Sequence, residues 1–168
     1  MAHCIGFAGY SGSGKTTLIT KLIIEMKRRG KQIAVLKHDA HGHYKEAPGA
    51  DSTIFAQSGA EAVVTISIGS IHVYEKKHKP DLQEHIKAFS HMDYVFVEGF
   101  KREKHPKIAV FRTIEQSEII KALEQEPIAI ATDMKMLDSQ VSTLPTLDLN
   151  DIVALADFVE RYFKAEQF

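Results

Sequence analysis

Short apolar runs alternate along the chain with stretches in which apolar residues recur at helical spacing. Residues 4–8 form an apolar run that ends in small residues, as a buried parallel strand does. Residues 15–29 carry one apolar face, and Gly30 is placed to end that helix. Further apolar runs predict strands over residues 32–36, 94–98, 108–111 and 128–131. Strands that alternate with helices are typical of an α/β fold with a mostly parallel sheet.

Two features depart from simple alternation. Residues 62–68 and 71–74 flank Gly69 and Ser70, a two-residue link suited to a type II′ turn, and this predicts an antiparallel β-hairpin added to the parallel sheet. Near the other end, Asn150 or Asp151 is expected to cap a last helix that carries an apolar face. No linker or internal repeat interrupts the chain, so we expect one domain over residues 1–168.

Composition narrows the class of protein. The chain has 168 residues, 44% hydrophobic and 26% charged, which is typical of a globular domain. Positive and negative residues nearly cancel, 21 against 22, so no overall basic field is available for nucleic acid. The sequence shows neither a membrane-length apolar run nor a secretory signal, and Cys4 has no second cysteine to pair with. We therefore expect a cytoplasmic protein with no membrane or nucleic-acid partner.

The strongest motif follows the first predicted strand and opens the first predicted helix. It matches the phosphate-loop pattern G-x-x-x-x-G-K-[ST] with Gly9, Tyr10, Ser11, Gly12, Ser13, Gly14, Lys15 and Thr16. Its glycines let backbone N–H groups turn toward phosphate oxygens, Lys15 is expected to bridge the β- and γ-phosphates, and Thr16 to bind Mg²⁺. Thr17 completes the predicted nucleotide-binding segment. The expected fold is thus the three-layer phosphate-loop NTPase fold.

Two acidic residues are candidates for the metal and for the attacking water. Glu98 ends a predicted strand, and ligands of open α/β sheets collect at the carboxyl ends of strands. Asp39 follows the second strand. With Lys15 they form the expected catalytic set. Each carboxylate could instead be an ordinary surface group at a strand end.

Histidines and basic residues allow two further hypotheses. His38, His41 and His43 surround Asp39 and could bind Zn²⁺ or Ni²⁺, although their spacing matches no standard site. The alternative is a polar loop near phosphate or substrate. A basic run over residues 101–107 is either a solvated loop or a patch for an anionic substrate.

Four segments in this order resemble the family of molybdopterin-guanine dinucleotide biosynthesis protein B (MobB). They are the phosphate loop, residues 37–43, residues 48–52 and residues 97–101. The resemblance implies a homodimeric GTP-binding accessory protein with weak Mg²⁺-dependent GTPase activity. It also implies that the protein acts together with the guanylyltransferase MobA and binds molybdopterin or its guanine dinucleotide. The resemblance also implies membership of the signal-recognition and Min-type branch of phosphate-loop NTPases. Many members of that branch carry a second lysine early in the loop, whereas this chain has Tyr10 there.

Guanine recognition and the reaction class stay open at this point. The usual Asn-Lys-x-Asp signature is missing, so Asp133, at the end of a late strand, is the predicted guanine reader, with a turn aspartate as the alternative. A small-molecule kinase shares this loop and size, and the histidines would suit a nickel-type metallochaperone GTPase.

Overall fold

The computed structural model describes residues 1–39, 47–134 and 143–165. The chain divides into two compact units. Met1–His38 and Gln83–Phe168 form the first, which we term the sheet unit. Asp39–Leu82 forms the second, the hairpin unit. The single domain expected from the sequence stays a prediction.

A six-stranded sheet with the strand order β2-β5-β1-β6-β7-β8 forms the centre of the sheet unit. Its strands are β1 (His3–Ala8), β2 (Ile33–Lys37), β5 (Tyr94–Glu98), β6 (Lys107–Val110), β7 (Ala129–Thr132) and β8 (Thr146–Asp148). Every neighbouring pair in this sheet is parallel. The strands therefore bring their carboxyl ends to one edge.

Helices cover both faces of this sheet. The helices are α1 (Lys15–Arg28), α3 (Leu82–Ala88), α4 (Ile114–Ser117), a 3-10 helix (Glu118–Ala122) and α5 (Ile152–Ala165). On one face, Ile5, Phe7 and Phe96 pack in a single buried cluster with residues of α1 and α5. On the other face, Phe111 and Ile119 pack with alanines of β1 and β6. Because successive strand residues point to opposite faces, fully apolar strands fit a sheet covered twice. The three-layer fold expected from the sequence is confirmed.

Helix α1 is held firmly against α5. Leu18, Leu22 and Met26 are buried on its inner face. At its carboxyl end, the Arg29 guanidinium bridges the two helices, donating to Glu25 Oε1 at 2.8 Å and to Asp157 Oδ1 at 2.6 Å. Packing and ion pairs together fix the position of α1, and the first turn of α1 is part of the candidate site.

The hairpin unit contains α2 (Asp51–Gln57) and the antiparallel pair β3 (Ala62–Ile66) and β4 (Ile71–Glu75). The predicted hairpin is confirmed, but its predicted turn is wrong. Ile66 pairs with Ile71, and the Ser67 N–H donates to the Ser70 carbonyl at 2.9 Å. The turn is therefore centred one residue earlier than expected. Gly69 also lacks the left-handed conformation that the predicted type II′ turn requires of its first glycine.

Two other details separate the structure from the sequence pattern. Strand β8 was not predicted, because it has only three residues, follows Pro145 and lies at the edge of the sheet. The cap of α5 was left open between two residues, and the structure selects Asp151, whose Oδ1 accepts from the Ala154 N–H at 3.0 Å. Within the described ranges, no helix is long and apolar enough to cross a membrane.

Candidate phosphate-binding site

The chain leaves β1 at Ala8 and enters α1 at Lys15 through a tight glycine loop. Gly12 and Gly14 adopt left-handed conformations, with φ angles of 72° and 90°. Gly14 is the N-cap of α1 and supplies no side-chain cap, and the first turn contains no acidic residue. The first N–H groups of the helix are thus free for an anion, and the helix dipole adds positive potential there.

Two small residues shape the inside of this loop. A Cβ atom at Gly9 would lie 2.4 Å from both Ser13 Oγ and the Val110 carbonyl oxygen, so only glycine fits. The Ser13 hydroxyl is buried and has no hydrogen-bond partner in the described part of the chain. Buried polar groups without partners cost free energy. An unsatisfied hydroxyl therefore fits a loop that gains hydrogen bonds from a ligand.

Lys15 lies half-buried at the start of α1 and is held by the loop itself. Its Nζ donates to the Tyr10 carbonyl oxygen at 2.8 Å. Burial lowers the pKa of Lys15, the charge of Glu98 opposes this shift, and the charges of Lys101 and Lys37 add to it. The charges that act on the loop lysine thus belong to one carboxylate and two further ammonium groups.

Glu98 ends β5, the strand between β1 and β2, and is paired in register with Phe7 and Lys37. The structure thus brings this predicted residue to the strand end from which the phosphate loop departs. Among the described residues, its carboxylate has no hydrogen-bond partner. Thr16, also predicted as a metal ligand, is the second residue of α1 and is exposed. A hydroxyl and a carboxylate at the same edge are oxygen ligands of the kind Mg²⁺ prefers.

Directly after Glu98 the backbone takes an unusual course. Gly99 and Phe100 have φ angles of 89° and 47°, and the Phe100 ring lies 4.6 Å from the His38 ring. The His38 N–H also donates to the Glu98 carbonyl at 2.9 Å. A left-handed phenylalanine is costly, so the surrounding contacts must hold it. After this turn, the Lys101 Nζ lies 4.5 Å from the centre of the Tyr10 ring in the glycine loop.

The other predicted metal residues are only partly described. Asp39 is exposed and is the first residue of the hairpin unit, and its predicted role stays a prediction. His41 and His43 lie outside the described residues. In residues 1–39, 47–134 and 143–165, no group of three or more His, Cys, Asp or Glu side chains is arranged to hold a metal ion.

Asp133 lines a small cleft beside the phosphate loop. The cleft has a volume of about 110 Å³ and is formed by Gly14, Thr17, Leu18, Lys21, Arg112, Asp133, Leu149 and Asn150. Asp133 Oδ2 accepts from both Nε and a terminal nitrogen of Arg112, each at 2.8 Å. Among the described residues, the other carboxylate oxygen accepts no hydrogen bond from Arg112. The cleft at the carboxyl ends of β6, β7 and β8 therefore has both charged and apolar walls.

Sequence reasoning did not foresee this use of Arg112. The residue follows β6 and Asp133 follows β7, so their side chains meet only because these strands are neighbours. Strand order would have revealed the pair, whereas the spacing of 21 residues gives no signal.

Comparisons with known proteins now bear directly on this site. The profile of the family described as Molybdopterin guanine dinucleotide synthesis protein B matches residues 4–133. That range includes the glycine loop, Glu98 and Asp133. The chain belongs to the MobB family.

Relatives of the MobB family resemble the chain over nearly its whole length. The molybdopterin-guanine dinucleotide biosynthesis adapter protein of Haemophilus influenzae is 33% identical, over 94% of this chain and 88% of the relative. The Escherichia coli protein of the same description is 32% identical, over 99% of this chain and 96% of the relative. The crystal structure of Bacillus subtilis MobB superposes with a TM-score of 0.74 and 26% identity, over 95% of this chain and 96% of that one.

Proposed function

We propose that this protein is a GTP-binding adapter in molybdopterin guanine dinucleotide biosynthesis. The observation that carries the proposal is the uncapped first turn of α1 behind a glycine loop, with Lys15 and Glu98 beside it. Backbone donors, a helix dipole and one lysine are the parts that hold a nucleoside triphosphate. The printed descriptions of the relatives supply the pathway. Family membership favours this function over a small-molecule kinase or a nickel-type metallochaperone.

Thr16 and Glu98 are the residues that would hold Mg²⁺, with Asp39 as a further candidate. The bound ion would neutralise charge on the β- and γ-phosphates. The chain itself binds the phosphates through loop N–H groups and Lys15. The Glu98 carboxylate also has unused acceptor capacity for orienting a water molecule. We propose a weak GTPase, because Arg112, which lies beside Gly14 of the loop, is paired with Asp133.

Guanine would bind in the cleft lined by Asp133. Guanine presents two donors on one edge, N1–H and N2–H₂, which suit a carboxylate acceptor. Arg112 orients that carboxylate and leaves one of its oxygens free of the ion pair. Leu149 gives the cleft an apolar wall for the base.

The hairpin unit supplies a surface for a homodimer. Val64 pairs with Val73 and Ile66 with Ile71, so all four side chains lie on one face of the hairpin. All four are exposed, Ile66 to 76%. Exposed apolar faces of this kind are typical of protein interfaces, and an edge strand can also pair with a second chain. We propose that two copies associate through this face.

An adapter acts through other proteins, and we propose MobA as its partner, with molybdopterin or its guanine dinucleotide as the shared ligand. The test is a competition experiment on the purified protein. GTP, ATP, GDP and molybdopterin would each displace a fluorescent GTP analogue, in the presence and absence of MobA. We expect GTP to compete better than ATP and MobA to change the affinity. Equal competition by ATP would contradict guanine preference, and no nucleotide binding at all would contradict the function.

A further inference from the structure

A second lysine reaches the glycine loop from the segment that follows β5. The Lys101 Nζ lies 4.5 Å from the centre of the Tyr10 ring, a cation–π contact. Tyr10 is the second residue of the loop, and its carbonyl oxygen also accepts from Lys15 Nζ. Two ammonium groups from different parts of the sheet unit thus converge on one residue of the loop.

The charges around this point do not balance. The charges of Lys37 and Lys101 both act on Lys15, and Glu98 is the carboxylate whose charge opposes them there. In the described ranges, neither Lys37 nor Lys101 makes an ion pair. Three positive groups around one negative group favour the binding of an anion.

The backbone below Lys101 is fixed while its side chain is adaptable. The Gly99 N–H donates to the Phe7 carbonyl at 3.1 Å, and the Lys101 carbonyl accepts from the Glu124 N–H at 3.3 Å. At the far end of the segment, the buried Lys107 Nζ donates to the Glu103 carbonyl and to the His105 carbonyl. Because the backbone is fixed, bringing the ammonium group to the loop orders only the lysine side chain.

We propose that Lys101 is a second phosphate-binding lysine, which leaves the Tyr10 ring to contact the polyphosphate chain of the nucleotide. A cation–π contact at an exposed site is weaker than a charge-assisted hydrogen bond to a phosphate oxygen. The phosphate therefore outcompetes the ring when a nucleotide is bound. Tyr10 holds the ammonium group near the site until then. This inference rests on the proposed nucleotide binding and adds a residue that the loop motif does not contain.

The variants Lys101→Met and Lys101→Arg test it by titration with fluorescent GTP and with inorganic tripolyphosphate. Methionine keeps the length of the side chain and removes its charge, so we expect GTP affinity to fall roughly tenfold, the effect of losing one charge-assisted hydrogen bond. Affinity for tripolyphosphate should fall by a similar factor, because the lost contact is to phosphate, and arginine should restore binding of both. Lys27→Met, exposed in the last turn of α1, is the matched control for loss of one charge and should bind as the parent does.

A second readout does not depend on any variant. Lysines of the parent protein are acetylated with and without GTP, and each site is quantified by mass spectrometry. We expect GTP to protect Lys15 and Lys101 but not Lys27. Protection of Lys15 alone, or equal GTP affinity of Lys101→Met and Lys27→Met, would overturn the role of Lys101 and leave the proposed function intact. Absence of GTP binding to the parent would overturn both.

Discussion

The sheet unit and the hairpin unit expose different kinds of surface. In the sheet unit, the apolar side chains of β1, β5, β6 and β7 are almost completely buried, and polar groups gather where the strands end. In the hairpin unit, β3 and β4 leave apolar side chains exposed, and α2 has no buried residue. The sheet unit therefore satisfies its hydrophobic pattern within one chain. The hairpin unit does so only if another surface covers it.

This contrast assigns the two units different tasks. The polar strand ends of the sheet unit suit a small charged ligand, because charged groups there are held by a rigid scaffold. The apolar hairpin face suits a macromolecular contact, since area removed from water is what stabilises such contacts. Changes in the sheet unit should therefore alter stability and ligand binding. Changes in the hairpin unit should alter the association of protein molecules.

The largest effect is expected in the core of the sheet unit. Leu22 on α1 is fully buried between the sheet and α5. Leu22→Ala should lower the free energy of unfolding by about 2–5 kcal/mol, the usual cost of a buried leucine together with the cavity it leaves. Urea unfolding measures this. Ile24→Ala, exposed on the same helix, is the control and should change stability by less than about 0.5 kcal/mol.

A buried histidine makes the stability of the sheet unit depend on pH. His105 is 6% exposed, and both ring nitrogens lack partners among the described residues. Burial, assisted by the Lys107 charge, lowers the pKa of His105 from 6.5 to about 4. The unfolded chain thus binds the proton more tightly, so stability is lost as the pH falls through the range between these values. The loss should approach roughly 3 kcal/mol near the lower value.

His105→Gln should remove this part of the pH dependence, which urea unfolding at a series of pH values would show. His72→Gln, in the exposed hairpin, controls for the loss of a histidine as such. If His105→Gln follows the same pH profile as the parent, the assignment to His105 is wrong.

The polar edge of the sheet unit is tested at Asp133. In Asp133→Asn, the amide presents its own donors to one of the two guanine donors and weakens the pair with Arg112. We expect GTP binding to weaken by about 1–3 kcal/mol, and binding of xanthosine triphosphate to improve. Titration calorimetry measures both. Unchanged affinities for the two nucleotides would show that guanine is recognised elsewhere.

The smallest effect on folding is expected in the hairpin unit. Replacing both Ile71 and Val73 with lysine puts two charges on the exposed apolar face. Because these side chains are already exposed within one chain, the free energy of unfolding of the sheet unit should not change. The mass in solution, measured by light scattering at micromolar concentration, should fall from dimer to monomer. A parent protein that is itself monomeric, or a variant that remains dimeric, would contradict the proposed interface.

The sequence was most informative where local pattern and burial coincide. Fully apolar runs predicted β1 and β5 because both faces of those strands are covered, so every residue carries the signal. The glycine loop was recognisable because close packing at Gly9 and left-handed conformations at Gly12 and Gly14 admit so few residue types. The predicted helix α1, which begins at Lys15 of the motif, supported the assignment of the loop.

The sequence did not reveal features that depend on strand order or on contacts between residues far apart in the chain. Strand β8 is too short for periodicity to detect, and the pair Arg112–Asp133 arises from neighbouring strands. The hairpin turn was misplaced by one residue because Gly69 indicated a turn without fixing its register. The contact of Lys101 with Tyr10 depends on the left-handed turn at Gly99 and Phe100, which no local pattern predicts.

The most direct test of the account is GTP binding by Lys15→Ala in the presence of Mg²⁺, measured by titration calorimetry beside a thermal melt. Lys15 is only half-buried and its Nζ contacts the Tyr10 carbonyl, so its loss removes charge from the phosphates and little packing. We predict an unchanged melting temperature and an affinity at least roughly tenfold weaker than that of the parent. Lys27→Ala, on the same helix, should bind normally. A Lys15→Ala protein that binds GTP as tightly as the parent, or that loses its fold, would contradict the assignment of this loop as a nucleotide site.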